Sequence, residues 1–229
     1  MKKSFFDLPY EMRSGEVKEY FDILDKRRGS LFFKRAFDIF VSLVMLIVSS
    51  PLLAAVAIAI KCDSKGPVFF RQLRITENMR EFRIFKFRTM VDGADKKGPL
   101  VTVDEDKRIT KTGAWLRKTR LDEVPQLINV LLGDMTFVGT RPEVKKYVDA
   151  YTNEMTATLL MKAGVTSPAS IAYKDEALLL KDAGGRADEI YINEILPEKM
   201  KYNLNYIRNF SFFGDIKIMF GTVFAVAKD

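Results

Sequence analysis

Between Ile39 and Ile60 lie 22 consecutive residues without a charge, IFVSLVMLIVSSPLLAAVAIAI, and this run constrains the fold more than any other feature. As a helix rising about 1.5 Å per residue it covers roughly 33 Å, enough for a bilayer core of about 30 Å. A soluble core helix seldom stays apolar on every side for so long, so membrane insertion is expected. No small-x-small cleavage pattern follows the run, and a cleaved signal peptide is not expected. Pro51, preceded by Ser49 and Ser50, falls within it. Proline removes a backbone donor and clashes with the preceding turn, while serine hydroxyls can meet the freed carbonyl as the helix bends. Lys26, Arg27, Arg28, Lys34 and Arg35 precede the run, and Lys61, Lys65, Arg71 and Arg74 follow it. Positive-inside reasoning then gives a spanning helix no preferred orientation, whereas a hairpin entering and leaving on one face satisfies both clusters. The residues alone leave both forms open.

Composition narrows the chemistry. The chain has 229 residues, enough for one domain with a real core, and carries 37 Lys and Arg against 30 Asp and Glu, a net charge of +7. That balance favours anionic partners: phospholipid headgroups, phosphorylated substrates or nucleic acid. The basic residues are scattered and no nucleic-acid motif appears, so nucleic acid is not expected. The single Cys62 excludes an intramolecular disulfide and fits a reducing compartment. There is no histidine, which removes Ser-His-Asp and Cys-His nucleophiles and His-ligated zinc. Transfer chemistry must use carboxylates, lysine, a hydroxyl, or an oxygen-ligated metal such as Mg²⁺.

Along the chain, residues 11–28 read as a charged helix ending at Gly29, and Gly66-Pro67 as a turn. PVFFRQLRI and EFRIFKFRTM alternate as two short strands, and 92–106 is a polar loop. KTGAWLRKTR leads into DEVPQLINVLLG, a helix with Pro125 in its first turn and Gly133 at its stop. Gly139-Thr140-Arg141-Pro142 forms a second loop, and helices are expected over 143–162, 184–207 and 211–228. In the last, Phe212, Phe213, Ile216, Met219, Phe220, Val223 and Phe224 share an apolar face suited to a core or to the membrane plane.

Asp122 and Glu123 are adjacent acids at a helix start. Acids there commonly complement the macrodipole and cap free N–H groups. The same position also keeps a carboxylate ionised and attracts phosphate, so one acid can attack phosphorus while its neighbour holds a divalent metal. The helix start is expected to lower the Asp122 pKa. Phosphoryl transfer needs cations as well, and Lys86, Arg88, Arg117, Arg120 and Arg141 are available, although each also suits a solvated surface.

These residues resemble a family. TRLDEVPQLINVLLGDMTFVGTRPE (119–143) is closely similar to the signature of the bacterial sugar transferases, the monotopic phosphoglycosyl transferases. KRAFDIFVSLVMLIVSSPLL, GPVFFRQLR, FRIFKFRTM and DKRITKTGAWLRKTR extend the resemblance over residues 31–223. It implies an α+β, mainly helical fold. Residues 1–30 would be an N-terminal helical extension and 31–62 a re-entrant membrane helix broken at Ser50-Pro51. Residues 63–229 would form a small cytoplasmic catalytic domain with short strands and membrane-interface helices. By the same resemblance Asp122 attacks the β-phosphorus of a UDP-sugar, expels UMP and passes the sugar phosphate to a polyprenyl phosphate. Glu123 binds Mg²⁺, Lys86 and Arg117 lie near the phosphates, and Arg141 and Pro142 belong to the nucleotide loop. The implied location is the bacterial inner membrane, with the site on its cytoplasmic face against phospholipid; a homodimer is left open.

The chain departs from the family's pattern in four places. Thr76 and Met79 stand where R-x-G-x-x-G has glycines, and Thr140 stands in a Gly-Pro-Arg-Pro loop. KAGVTSP (162–168) replaces P-G-[IV]-T-G, and Asn203 replaces a common acid. The competing reading is a membrane-anchored basic scaffold without catalysis, which leaves the acid pair and its arginines unexplained.

Overall fold

The computed structural model describes residues 4–94, 106–174, 176–179 and 186–227. Most of the expected loop over 92–106 therefore lies outside the described residues, as do the extreme ends of two expected helices, 184–185 and 228. The chain is mainly helical, with one long apolar helix and a few short strands.

Helix α1 (Gly15–Asp25) starts where the Ser14 hydroxyl accepts from the Val17 amide at 3.2 Å. Its Val17, Tyr20, Phe21 and Leu24 are buried in the main core with Leu160, Ile207 and Phe210. The helix expected over 11–28 is thus shorter. The Ser14 cap sets its start, Tyr10–Met12 form a separate 3₁₀ turn, and Gly29 already belongs to the next helix.

Helix α2 (Arg28–Asp63) is 36 residues long and runs through Pro51. Ser50 Oγ donates to the Ile47 carbonyl at 2.8 Å, the acceptor that a residue with an N–H would reach from position 51. Ser49 Oγ donates to Met45 at 2.6 Å. Among the described residues α2 is the one helix long and apolar enough to cross a membrane. Phe40, Ile47, Val48 and Ile58 are exposed, yet both ends of α2 are held by the rest of the chain. Towards the start, Arg35 donates to the carbonyls of Val130 and Leu131 at 2.6 and 3.0 Å, and Asp38 accepts from Thr136 Oγ1 at 2.6 Å. Towards the end, Val56 and Ile60 pack with Phe87 and Leu116.

Strands β1 (Phe69–Phe70), β2 (Leu73–Ile75), β3 (Glu81–Arg83) and β4 (Lys86–Phe87) replace the two expected strands. β1 pairs with β4 and β2 with β3, antiparallel and in one continuous register, so they form a single hairpin whose pairing lapses in the middle. In its turn Asn78 and Met79 take φ of 55° and 58°, the left-handed region for which the family pattern supplies a glycine at position 79. Thr76 is extended and buried. Its hydroxyl donates to the Asp134 carbonyl at 2.7 Å and accepts from the Ala163 amide at 3.1 Å. Two departures from the family pattern therefore meet: a glycine at 76 has no hydroxyl and a proline at 163 has no N–H. Each of Thr76→Gly and Ala163→Pro should destabilise by about 1–3 kcal/mol, because it strands a buried partner. The double substitution should cost clearly less than their sum in thermal melts. Strict additivity would show that the two positions are independent.

Helix α3 (Lys111–Lys118) is followed by a 3₁₀ turn at Leu121–Glu123 and by α4 (Gln126–Leu132). Pro125 opens α4, and Gly133, at φ 90°, ends it as expected. β5 (Met135–Val138) pairs in parallel with β6 (Ala163–Thr166). Between them, α5 (Lys145–Val148) and a 3₁₀ turn at Met155–Leu160 stand in place of the one helix expected over 143–162. The threonines there bind local backbone: the Thr152 hydroxyl accepts from Met155 N, and Thr156 Oγ1 donates to the Asn153 carbonyl. α6 (Pro168–Ala172), α7 (Glu176–Leu179) and α8 (Ala187–Ile190) follow. A π-helical turn at Tyr191–Ile195 then leads to α9 (Leu196–Arg208) and α10 (Phe212–Ala227). On α10, Phe213, Phe220, Val223 and Phe224 are exposed, while Asp215 is buried.

Candidate active site

Asp122 and Glu123 sit in the tight turn between α3 and α4, with Arg120 before them in the left-handed region at φ 57°. The two carboxylates are treated differently. Glu123 Oε1 accepts from Lys86 Nζ at 2.7 Å and from Arg141 Nη2 at 2.8 Å. Lys86 comes from β4 and Arg141 from the loop after β5, so this one carboxylate ties three segments together. Burial pushes the Glu123 carboxyl up, but the charges and hydrogen bonds of Arg141 and Lys86 overcome it and hold the pKa well below the usual range. Asp122, by contrast, accepts no hydrogen bond among the described residues. Its pKa is raised, first by burial and then by the Glu123 charge, against the pull of Lys86, Arg117 and Arg120. This reverses the lowering expected from a helix start. Asp122 lies in a 3₁₀ turn ahead of the seven-residue α4, and desolvation outweighs the dipole there.

The other expected residues divide. Arg117 donates through Nε to Thr89 Oγ1 at 2.9 Å and acts electrostatically on Asp122. Arg120 is exposed beside the pair. Pro142 is buried and its carbonyl accepts from Arg74 at 3.1 Å, which fixes the loop behind Arg141. Arg88 stands apart: it is buried, and its two terminal nitrogens bind the carbonyls of Ser64 and Lys65 just past the end of α2. Its geometry is that of a helix anchor.

The bacterial sugar transferase family model matches residues 29–229. The chain belongs to that family. It is 35% identical over 195 residues to the UDP-N-acetylgalactosamine-undecaprenyl-phosphate N-acetylgalactosaminephosphotransferase of Aeromonas hydrophila, covering 84% of this chain and 43% of that protein. It is 37% identical over 194 residues to the UDP-glucose:undecaprenyl-phosphate glucose-1-phosphate transferase of Escherichia coli K12, covering 83% and 39%. Against the exopolysaccharide production protein PSS of Rhizobium leguminosarum bv. phaseoli, identity is 39% over 204 residues, covering 84% and 94%. The chain thus spans about two fifths of the length of the first two relatives and nearly all of the third.

In this sugar transferase several residues around the site were not singled out from the sequence. Glu143, directly after Arg141-Pro142, is buried and accepts from Tyr191 OH at 2.6 Å. Lys199 donates to Tyr191 OH at 2.9 Å and to Glu176 at 2.6 Å. Eight residues are about 2.2 turns of α-helix, so Tyr191 and Lys199 would diverge on a regular one; the wider π turn between them restores the common face. The acid following Arg141-Pro142 was a usable clue to Glu143; nothing local pointed to Tyr191 or Lys199. Asn203 is buried beside Met200 and takes no part in the Glu123 contacts.

For a metal, the described residues contain no group of three or more acidic or cysteine side chains. Mg²⁺ is usually held by one or two carboxylates together with substrate phosphates, and the adjacent Asp122 and Glu123 meet that requirement. Glu123 Oε2 is free of the two cations that grip Oε1.

Proposed function

We propose that this chain transfers a sugar phosphate from a UDP-sugar to a membrane polyprenyl phosphate, giving polyprenyl-diphospho-sugar and UMP. The observation that carries this reading is the asymmetry of the acid pair, with Glu123 locked by Lys86 and Arg141 and Asp122, among the described residues, left without a hydrogen bond beside cations. An Asp122 oxygen attacks the β-phosphorus and the bond to the bridging oxygen breaks, so UMP leaves with that oxygen. A phosphosugar-aspartyl ester remains. A phosphate oxygen of the lipid then attacks the same phosphorus, and the carboxylate is released unchanged. Lys86, Arg117 and Arg141 bind and orient the phosphates, and Arg120 adds positive charge at the mouth. Mg²⁺, held through Glu123, would neutralise phosphate charge.

The membrane arrangement supports the same reading. A body gripping α2 at both Arg35–Asp38 and Val56–Ile60 lies on one side of the bilayer, which favours a re-entrant helix bent near Ser50-Pro51 over a span. Leu121, next to Asp122, packs against that second contact, so the nucleophile sits at the membrane surface where a lipid phosphate lies. In bacteria this is the cytoplasmic face of the inner membrane. The relatives' names point to undecaprenyl phosphate as acceptor and to exopolysaccharide or related glycans as the product class.

Purified protein given a panel of UDP-sugars and polyprenyl phosphate should release UMP with at least one donor. Excess chelator is expected to stop it. Release from none of the panel would favour a scaffold, and full turnover in chelator would remove the metal role of Glu123.

A further inference from the structure

We propose that Glu143 is a positioning residue for Arg141: tied to the turn before α9 and flanked by Arg74 and Lys199, it sets the loop from which Arg141 reaches Glu123 and the donor phosphates. This rests on the reading that Arg141 meets those phosphates. Arg141 is the least buried member of the clamp, with 38% of its side chain exposed against 17% for Glu123 and 20% for Lys86. It holds Glu123 through Nη2 at 2.8 Å. A long side chain at an open rim keeps most of its rotamer freedom, so its direction depends on the backbone that carries it.

That backbone is fixed at the two residues after Arg141. The Pro142 carbonyl accepts from Arg74 Nη1 at 3.1 Å and the Glu143 carbonyl from the Ile75 amide at 3.0 Å, so both are stitched to β2. The Glu143 side chain is held by a different element. Its Oε1 accepts from Tyr191 OH at 2.6 Å, in the π turn before α9. Lys199 Nζ donates to the same hydroxyl at 2.9 Å, and the Tyr147 ring lies 4.6 Å from that of Tyr191. A backbone anchored on β2 and a side chain anchored at α9 leave residue 143 one placement. Pro142, with its ring-locked φ, passes that placement on to Arg141.

Holding the fold does not by itself call for a charge here. A buried carboxylate carries a desolvation cost, and apolar residues of similar volume often serve as well. Glu143 is instead an acid shared by cations. Lys199 Nζ lies 3.7 Å from its Oε1 and Arg74 Nη1 lies 3.9 Å from its Oε2. Glu123 does most to keep Arg141 charged, against burial, and Glu143 adds to it. Burial lowers the Arg74 pKa and the Arg141 charge lowers it further, with Glu143 opposing both. Were residue 143 neutral, Arg74, Lys199 and Arg141 would repel one another. Arg74 and Lys199 are the more deeply buried, so Arg141 at the rim is the one that moves.

The test compares Glu143→Gln, which keeps the shape and loses the charge, with Tyr191→Phe, which keeps every charge and loses the tie. Each is made alone and with Arg141→Ala, and KM for the UDP-sugar is read from UMP release. Glu143→Gln should raise KM about tenfold, the size of one hydrogen bond to a charged group, and Tyr191→Phe severalfold. Neither should raise it further once Arg141 is alanine. An unchanged KM with lower kcat and melting temperature makes Glu143 a part of the fold alone and overturns the inference. A KM rise that persists undiminished beside Arg141→Ala overturns it too. The substrate-free protein is also treated with phenylglyoxal, and modification of Arg141 is followed by peptide mass spectrometry against the exposed Arg13. Both substitutions should speed modification of Arg141 severalfold and leave Arg13 unchanged. A wild-type rate at Arg141 in Glu143→Gln sinks the proposal. This arm needs no turnover. Wild-type protein that releases no UMP, while its variants show the faster Arg141 modification, fails the transferase reading and leaves the placement of Arg141 on Glu123 standing.

Discussion

If Asp122 is the nucleophile we propose, Asp122→Asn is expected to lower UMP release by about 10³-fold or more, because the amide cannot form the phosphosugar ester of that mechanism. The wild-type chain given UDP-sugar alone should release about one equivalent of UMP and gain one sugar phosphate on the peptide holding Asp122. The asparagine variant should show neither signal, whereas Arg120→Ala, at the exposed rim, should mostly slow them. A general base is not needed at this position, since a polyprenyl phosphate is already ionised near neutral pH. The raised pKa of Asp122 adds a further expectation: the carboxylate protonates earlier as pH falls, so the acid limb of UMP release lies above the ordinary aspartate value. If UMP appears only with lipid present and no adduct can be trapped, direct displacement is the better mechanism and Asp122 has another role.

The second large effect concerns stability. Lys34 on α2 and Asp215 on α10 form an ion pair with both side chains buried, and Tyr206 OH also donates to Asp215 at 2.8 Å. Lys34→Met leaves Asp215 uncompensated in the interior, and a loss of about 3–5 kcal/mol is expected. Lys34→Met with Asp215→Leu should recover much of that loss, because two apolar residues need no counter-charge. The measurement is thermal unfolding of both variants in the same detergent. A single variant as stable as wild type would show that the pair does not hold α10 against α2. Equal losses in the single and double variants would instead place the cost in packing around Lys34.

Local chemistry explains which elements were legible. The apolar run, Pro51 with its serines, the Pro125 start and Gly133 stop of α4, and the course of α10 all rest on neighbours within one or two turns. Asp122-Glu123 and the cations Lys86, Arg117 and Arg141 were legible as types. The resemblance gave the two acids separate roles, but that Lys86 and Arg141 both grip Glu123 was not legible, because it depends on which carboxylate they reach from elsewhere in the chain. The contacts of Arg88 were illegible for the same reason: its charge suits phosphate, and only its position in the fold shows that its terminal nitrogens bind the carbonyls just past the end of α2. The helix expected over 143–162 failed where threonine hydroxyls compete for backbone, an effect that an apolar periodicity does not register.

By itself, then, the sequence determined that this chain carries one long apolar helix, lacks histidine chemistry and holds an acid pair among basic residues in a bacterial sugar transferase pattern. Those properties follow from composition and from spacings of a few residues. Only the tertiary structure decided that Glu123 is clamped while Asp122 accepts no hydrogen bond among the described residues, that the Ala163 amide donates to Thr76, and that both ends of α2 grip one body. Each of these is a contact between residues tens of positions apart, or the lack of one. The energy of such contacts comes from burial and partner geometry that no local stretch of residues contains.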